Sequence, residues 1–367
     1  MRKVLTFITL MVATAVTAFS QDFTSTVFSK GDNGFDTYRI PAIVQAADGA
    51  LLAFAEARKN SRSDAGDIDL VVRRSEDGGR TWGEIITVWD EGENTCGNPA
   101  PIVDRETGRI LLPMTWNLGT DKEKAIHRRE SVDTRRVFLT WSDDNGLTWS
   151  PAEEITASVK LPEWTWYATG PCHALQLSRG KHRGRVVIPC NHGVFGSGTV
   201  SFVFYSDNGG ANWQIGGSPD VGNEATVAER KDGSIMLNMR KGKYRLVAVS
   251  SDGGETFSDT WTDSTLVEPG CQGSIINYAP KGKSGRTLFF SNPASQEKRE
   301  KMTIRRSDDG GYTWRTAFTL DNAHAAYSDL VVLSDGGLGL LFETGESMTY
   351  ERIDYVYWSK QAVKESR

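Results

Sequence analysis

The chain has 367 residues, with 42 lysines and arginines against 47 aspartates and glutamates, which gives a formal net charge of −5 at pH 7. This acidic balance argues against nucleic acid or an anionic membrane as the main partner, because both attract basic surfaces. Any site for an anion must therefore be a local concentration of positive charge.

The first 20 residues are typical of a cleavable signal peptide. Basic residues at positions 2 and 3 are followed by an apolar stretch from Val4 to Ala18, and a cleavage point is expected near Ser20-Gln21. The stretch is too short and too rich in alanine and threonine to span a bilayer, which takes about 20 apolar residues. The sequence thus predicts an exported protein without membrane insertion, in which residues 21–367 form one domain.

Five copies of one octapeptide recur along the chain in the form Ser-x-Asp-x-Gly-x-Thr-Trp. They occupy residues 75–82, 142–149, 206–213, 250–257 and 307–314, with departures at Asn208, Asn212 and Phe257. A short carboxylate that accepts backbone N–H groups, followed by a glycine and an aromatic residue, is typical of a turn between two strands. We therefore assign the repeated aspartates to the scaffold and not to a ligand site.

Six glycines each precede an apolar run of β character, and each run follows another short apolar segment, so six hairpins are expected. They are Gly49, Gly108, Gly184, Gly233, Gly285 and Gly337. The octapeptides, here called boxes, recur every 58 residues on average. The 347 residues after the predicted signal peptide hold about six such steps. The sequence predicts an all-β fold, a six-bladed β-propeller with four strands per blade. A last strand is expected at Tyr355–Trp358, and either terminus could close the ring.

Four cysteines remain in an oxidising destination, and none has metal-ligand spacing. They are Cys96, Cys172, Cys190 and Cys271. We expect buried free thiols, with one disulfide as the alternative. The sequence shows no metal-ligand cluster and no phosphate-cradling loop, so no cofactor and no catalytic metal are predicted, and structural calcium is left open.

Antiparallel topology places the starts of first strands and the ends of second strands on one face of a propeller. That face collects Arg39, Arg58, Asp64, Glu224, Arg240, Arg299 and Tyr327. Guanidinium groups that converge repel one another unless an anion lies between them. The pattern therefore predicts a site for a carboxylated ligand on this face.

These motifs resemble those of the bacterial exo-sialidases over essentially the whole mature sequence. The resemblance rests on Arg39-Ile40-Pro41, on the boxes, on an aspartate 25 residues after Arg39 and on a glutamate sixteen residues before Arg240. It implies the sialidase fold and a glycoside hydrolase that releases terminal α-linked sialic acid from glycoproteins, glycolipids or oligosaccharides. With the leader, it implies a secreted, periplasmic or envelope location in a bacterium.

The resemblance implies that Arg39, Arg240 and Arg299 clamp the carboxylate of the sugar. Tyr327 would be the nucleophile and Glu224 its base. A neutral phenol avoids the repulsion that a carboxylate nucleophile would meet beside the substrate's own carboxylate. The anomeric configuration would then be retained.

Asp64 would protonate the leaving oxygen and then activate water. Its rivals, Asp67 and Asp69, lie at or in the following strand, where pairing constrains them. Rivals for the other roles are Glu229 for the base, and Arg305 and Arg306 for the third arginine.

Arg58 resembles an arginine that contacts the ring-hydroxyl side of the sugar, and Asn98, at a blade start, is a candidate polar contact. Candidates for an acyl pocket or an aglycone platform, or else for packing, are Trp116, Trp164, Trp166 and Tyr167. The segment 170–173 departs from the Gly-Pro-Gly of the family, which leaves the local loop conformation and the aglycone preference open.

Two other functions fit the same residues. In a trans-sialidase, or an intramolecular trans-sialidase, another sugar or the ligand's own hydroxyl would capture the intermediate instead of water. A non-catalytic propeller that binds glycans or proteins is the third reading, since aspartate boxes also occur outside enzymes.

Overall fold

The structure, a computed structural model, describes residues 21–366, so the predicted signal peptide and its cleavage after Ser20 lie outside the described residues. This range contains 26 β-strands, three short α-helices and one 3-10 helix. None of its helices is long and apolar enough to cross a membrane.

The strands follow one another as short antiparallel runs. The first half contains β1 (Phe23–Ser29), the 3-10 helix Asp32–Gly34, β2 (Thr37–Gln45), β3 (Leu51–Arg58), β4 (Ile68–Ser75), β5 (Ile86–Trp89), β6 (Thr95–Gly97), β7 (Ile102–Val103), β8 (Ile110–Asn117), α1 (Glu123–His127), β9 (Arg136–Ser142), β10 (Glu153–Glu154), α2 (Thr156–Val159), β11 (Trp164–Thr169) and β12 (Leu175–Gln176). The second half contains β13 (Val186–Val194), β14 (Gly198–Ser206), β15 (Gln214–Ile215), β16 (Ala225–Glu229), β17 (Ile235–Met239), β18 (Lys243–Ser250), β19 (Trp261–Glu268), β20 (Ser274–Asn277), β21 (Leu288–Pro293), β22 (Met302–Ser307), β23 (Arg315–Thr319), β24 (Ala325–Val332), β25 (Leu338–Thr344), β26 (Arg352–Trp358) and α3 (Lys360–Glu365).

Within the described range these strands form five hydrogen-bonded sheets. Four have the form of a blade: β11 to β15, β16 to β19, β20 to β23, and β24 to β26 with β1. The remaining sheet contains the nine strands β2 to β10. The all-β, propeller-like architecture is confirmed, whereas six separate blades are not found as sheets. The difference arises at a parallel pairing of Ile68 with Thr95, which joins β4 to β6 in one hydrogen-bonded network.

The N-terminal strand closes the arrangement. β1 pairs antiparallel with β26, from Phe23 opposite Tyr357 to Ser29 opposite Arg352. The sequence alone leaves open which terminus does this. The last sheet therefore combines the two ends of the described chain, which ties residues far apart in sequence into one unit.

The apolar core lies between the faces of neighbouring sheet segments. One cluster packs Val44, Leu52 and Phe54 from β2 and β3 against Leu112 and Met114 from β8. Each such side chain contributes about 1.5–3 kcal/mol when it is removed from water. Strands buried on both faces read as nearly continuous apolar runs, so a charged residue inside one of them needs a specific partner.

The repeated boxes form the turns that follow third strands, as the sequence predicts. In the first box, Asp77 Oδ1 accepts hydrogen bonds of 2.9 Å from the backbone N–H groups of Arg80 and Thr81, and Ser75 Oγ donates to it at 2.8 Å. Partial burial acts to raise the pKa of Asp77, but the hydrogen bonds from Thr81 and Ser75 outweigh it and lower the pKa to about 2. The scaffold role of these aspartates is confirmed.

Removal of a box carboxylate should cost stability. We expect Asp77→Ala to lower the free energy of unfolding by about 1–2 kcal/mol, because several hydrogen bonds of a solvent-facing turn are lost together. Glu76→Ala is the matched control, since the adjacent carboxylate is exposed and, among residues 21–366, pairs with Arg74 alone, at 3.3 Å. Urea unfolding of the two variants makes the comparison. Equal losses would contradict the scaffold role.

The four cysteines are all buried free thiols, which confirms the favoured expectation over a disulfide. Among residues 21–366, no group of three or more histidine, cysteine, aspartate or glutamate side chains is placed to hold a metal ion.

Candidate active site

Three first strands carry a β-bulge near the point where they begin. The register shifts between Arg39 and Ala42 in β2, between Trp164 and Tyr167 in β11, and between Ala325 and Ser328 in β24. A bulge inserts one extra residue and redirects a side chain out of the regular alternation. Arg39, which borders its bulge, and Trp166 and Tyr327, which lie within theirs, line one common cavity.

The bulge of β2 is strained. Ile40, a β-branched residue, has a φ of 57°, which such residues rarely adopt. Strain of this kind persists only where contacts with the surrounding structure hold the backbone in place, and it clusters at functional sites. Pro41 is the sequence signal for this feature, because proline inside a strand marks an edge or a bulge.

The common cavity has a volume of about 340 Å³ and contains every predicted site residue. Those residues are Arg39, Arg58, Asp64, Asn98, Glu224, Arg240, Arg299 and Tyr327. They come from the starts of first strands, the ends of second strands and the loops between second and third strands. The antiparallel topology therefore brings together residues that are up to 288 positions apart in the sequence.

Tyr327 and Glu224 form a hydrogen-bonded pair at the centre of the cavity. Tyr327 Oη donates to Glu224 Oε1, while Arg240 Nη1 donates to Glu224 Oε2 at 2.7 Å and to Tyr327 Oη at 3.2 Å. Burial, reinforced by the charge of Glu224, raises the pKa of Tyr327 well above its ordinary value, although Arg240 and Arg39 act in the opposite direction. The phenol is therefore neutral, and its proton points at Glu224.

Three guanidinium groups surround this pair. The Cζ atoms of Arg39 and Arg299 lie 5.2 and 5.4 Å from the centre of the Tyr327 ring. Arg39 is held by Glu343, with Nε 3.1 Å from Oε1. Arg299 instead donates to neutral atoms, to Tyr350 Oη at 2.8 Å and to the carbonyl of Gly270 at 3.1 Å. Its charge is thus not paired with a carboxylate of the described chain.

Asp64 lies at the rim of the cavity with 66% of its side chain exposed. Its Oδ1 is 2.7 Å from Arg58 Nη1 and 3.2 Å from Arg39 Nη1. Partial desolvation acts to raise the pKa of Asp64, but the charges of Arg58 and Arg39 outweigh it and hold that pKa below its ordinary value. The carboxyl is therefore ionised in the free protein.

The rival residues lie outside the cavity. Burial, with the charges of Asp90 and Asp67, raises the pKa of Asp69 to about 7, yet Asp69 does not line the cavity. Glu229 is buried at the far end of β16, where Ser178 and Ser284 donate to it. Arg305 and Arg306 lie within β22, where Arg305 binds Asn292 and Arg306 binds Asp308.

Two buried glutamates beside the cavity are not identified by the sequence alone. Glu343, fully buried in β25, accepts hydrogen bonds from Arg39, from the N–H of Ile40 at 2.9 Å and from the N–H of Tyr327 at 3.0 Å. It thereby fixes the bulges of β2 and β24 together. Glu56 in β3 plays a related part, since it accepts from Arg58 and from the N–H of Asn98. A glutamate inside an apolar strand is the available signal for both.

Tyr350 and Arg135 were also missed. The ring of Tyr350 lies 4.2 Å from the guanidinium of Arg39, while its hydroxyl holds Arg299. Burial lowers the pKa of Arg135 to about 10. Arg135 donates to Asn98 Oδ1 at 2.5 Å and lies 4.1 Å from the ring of Trp166. The amide oxygen of Asn98 is therefore already engaged.

Of the four aromatic candidates, Trp166 alone lines the cavity. Trp164 stacks on His192 with 3.7 Å between the ring centres. Tyr167 is fully buried, and Trp116 packs against Phe138. For these three residues the packing alternative is the one that the structure supports.

The sequence and the fold of this chain are similar to those of known proteins. Residues 49–340 match the BNR repeat-like domain. Over 350 residues the chain is 35% identical to a sialidase of Micromonospora viridifaciens, an alignment that covers 89% of this chain and 53% of that protein. It is 31% identical to an exo-alpha-sialidase of Arthroderma benhamiae, with 85% of this chain and 79% of that protein covered. The chain belongs to the sialidase family.

A solved structure of this family supports the fold. The Hadza microbial sialidase Hz136 superposes with a TM-score of 0.80 at 30% identity, over 90% of this sialidase-family chain and 67% of that one. A leech intramolecular trans-sialidase superposes with a TM-score of 0.76 at 19% identity, a likeness that shows the shared fold alone. The chain spans about half of the Micromonospora sialidase and 63% of a sialidase of Bacteroides fragilis.

Proposed function

We propose that this chain is an exo-α-sialidase, which hydrolyses terminal α-linked sialic acids of glycoproteins, glycolipids or oligosaccharides. The observation that carries the proposal is the Tyr327–Glu224 hydrogen bond enclosed by the guanidinium groups of Arg39, Arg240 and Arg299. Family membership supports it, because the relatives named above are sialidases.

The arginines would bind the carboxylate of the sialic acid. Arg299 offers its charge most directly, since its partners in the described chain are neutral. Arg39 and Arg240 are held in place by Glu343 and Glu224, which fixes their direction before the ligand arrives. Fixed guanidinium groups recognise a carboxylate with little loss of side-chain entropy.

Tyr327 would attack the anomeric carbon. Its Oη forms the new bond to carbon while Glu224 Oε1 takes the phenol proton, and the bond to the leaving oxygen breaks as Asp64 protonates that oxygen. In the second half Asp64 takes a proton from water, the water oxygen attacks the anomeric carbon, and Tyr327 leaves and regains its proton from Glu224. Two inversions give net retention.

Asp64 should impose a pH dependence on this reaction. Arg58 and Arg39 lower the pKa of Asp64 in the free protein, so its acid form is a minor species at neutral pH. That form becomes more populated as the pH falls. For a lactose-linked sialoside, whose leaving group needs a proton, kcat/KM should therefore rise as the pH falls toward that pKa. Asp64→Asn should abolish this rise and lower kcat/KM by about 10²–10⁴-fold.

Substrates with different leaving groups distinguish a catalytic acid from a carboxylate with a structural role. An aryl sialoside with a good leaving group should lose much less activity in Asp64→Asn than the lactose-linked substrate does. Asp67→Asn is the control, since Asp67 is near in sequence but does not line the cavity. Equal losses on both substrates, or an unchanged pH profile, would argue against the assignment of Asp64.

A fluorogenic sialoside tests the enzymatic proposal itself. Turnover by the purified chain supports a sialidase, and the absence of turnover by a folded preparation supports the non-catalytic propeller. Arg58 and Asn98 remain proposed contacts of the sugar ring and its substituents, because both line the cavity beside the clamp.

We also propose that residues 21–367 form one domain with six blades. Two features support the count: the nine-stranded sheet is joined in its middle by the single parallel pair Ile68–Thr95, and apolar side chains pack face to face between its two halves. The proposed location is secreted, periplasmic or in a bacterial envelope. Mass spectrometry of the exported protein should find Gln21 at its N-terminus, and an uncleaved Met1 would contradict the proposal.

A further inference from the structure

A second concentration of positive charge surrounds a cavity of about 540 Å³, here called the rear pocket. Its basic residues are Arg105, Arg179, Arg183, Lys281 and Lys283, and its lining includes one carboxylate, that of Glu106. These residues lie in loops that connect first strands to second strands. The catalytic residues lie at the opposite strand ends, so the two cavities occupy opposite faces of the molecule.

Strand β16 gives the separation of the two cavities. Glu224 precedes it in the catalytic cavity, and Glu229 ends it beside the rear pocket. Five residues of extended chain span about 17 Å. A ligand in the rear pocket would therefore not touch the residues of the catalytic cavity.

The rear pocket has a rigid, buried foundation. Glu229, which is fully buried, accepts hydrogen bonds from the N–H groups of Ser178 and Arg179 and from the hydroxyls of Ser178 and Ser284. Ser178 Oγ also accepts from the N–H of Ser284 at 3.0 Å. This carboxylate, at the end of β16, thus ties together loops from the two neighbouring sheets.

Two of the three arginines of the rear pocket are held by neutral atoms. Arg179 donates to the carbonyl of Ser284 at 2.7 Å, and Arg105 donates to the carbonyl of Gln176 at 2.8 Å. Burial lowers the pKa of Arg105, despite the opposing charges of Glu229 and Asp104. Within residues 21–366, none of the five basic side chains makes an ion pair, unlike Arg39, Arg58 and Arg240 in the catalytic cavity.

We propose that the rear pocket binds a ligand that carries two or more phosphate or sulfate groups. The five cations outnumber the single carboxylate of the lining, that of Glu106, and one singly charged ligand group would leave most of the remaining repulsion in place. Guanidinium groups fixed by carbonyl oxygens keep N–H donors that match tetrahedral oxyanions. Because the whole chain carries a net charge of −5, such binding would depend on this local site.

Calorimetric titration of the full chain tests the proposal. The probes are inorganic phosphate, tripolyphosphate and a sulfated oligosaccharide, so the phosphate and sulfate sources are compared directly. We expect saturable binding of at least one multivalent probe, tighter than that of phosphate and weaker at high salt. Lys281→Ala combined with Lys283→Ala should weaken it at least about tenfold, because both side chains are exposed and line the pocket.

The control variant combines Lys360→Ala with Lys364→Ala, which removes the same charge from exposed positions outside the pocket. It should bind the probe as the unmodified chain does. Absence of saturable binding to every multivalent probe, or equal weakening in both double variants, would overturn the proposal. The inference does not rest on sialidase activity, and turnover of a fluorogenic sialoside should be the same in all three proteins.

Discussion

Replacement of Tyr327 by phenylalanine should lower the turnover rate by at least about 10³-fold while the protein stays folded. The substitution deletes the hydroxyl that would form the bond to the anomeric carbon. It leaves the ring, which packs between Arg39 and Arg299, in place. The measurement is kcat on a lactose-linked sialoside together with the thermal unfolding midpoint.

Tyr350→Phe is the matched control for this prediction. Tyr350 lies in the same cavity, also packs against Arg39 and also contributes one hydroxyl, which accepts a hydrogen bond from Arg299. Its loss should cost about tenfold in kcat/KM, the effect of one hydrogen bond to a charged group. Full activity in Tyr327→Phe, or equal losses of activity in the two variants, would refute the assignment of Tyr327 as the nucleophile.

Replacement of Arg299 by methionine should lower kcat/KM by about 10–100-fold with little change in stability. In the described chain Arg299 donates to a hydroxyl and a carbonyl, so its removal leaves no buried carboxylate unpaired. The lost interaction is then mainly the one with the carboxylate of the substrate. Steady-state kinetics and urea unfolding separate the two effects.

Arg39→Met provides the contrast. Arg39 donates to the fully buried Glu343, whose other hydrogen bonds hold two strand bulges. Removal of one partner from a buried ion pair costs about 3–5 kcal/mol, so this variant should lose stability as well as activity. If Arg299→Met lost as much stability as Arg39→Met, the assignment of Arg299 as the uncompensated anchor would be wrong.

The sequence was informative where chemistry and local pattern coincide. The boxes predicted their own turns, because each carries its hydrogen-bond donors and acceptor within eight residues. The residues of the cavity could be placed together because antiparallel topology alternates strand ends between two faces. Arg39 and Tyr327 were found in this way, although 288 residues separate them.

The residues that hold the site in shape could not be found in the same way. Glu343 and Glu56 are recognisable only through partners that the fold supplies, from strands distant in sequence. The bulges depend on register, which is set by pairing along whole strands and not by a local motif. The sheet count differed because a single pairing, Ile68 with Thr95, joins two strand runs, and no composition signal marks such a pair.

Charge was a partial guide to the cavity. The sequence showed converging arginines and predicted an anion, and the structure adds that Arg39, Arg58 and Arg240 each have a carboxylate partner. A ligand carboxylate is therefore needed mainly to balance the charge of Arg299, beside Tyr327. In the rear pocket, by contrast, none of the five basic side chains forms an ion pair with a carboxylate of the described residues.

The most direct test of the account is a proton NMR time course with an α-linked sialoside. A tyrosine nucleophile with water as acceptor predicts that free N-acetylneuraminic acid appears first as the α-anomer and then mutarotates. First appearance of the β-anomer would contradict the sialyl-tyrosine intermediate, and an anhydro or transferred sugar would contradict hydrolysis.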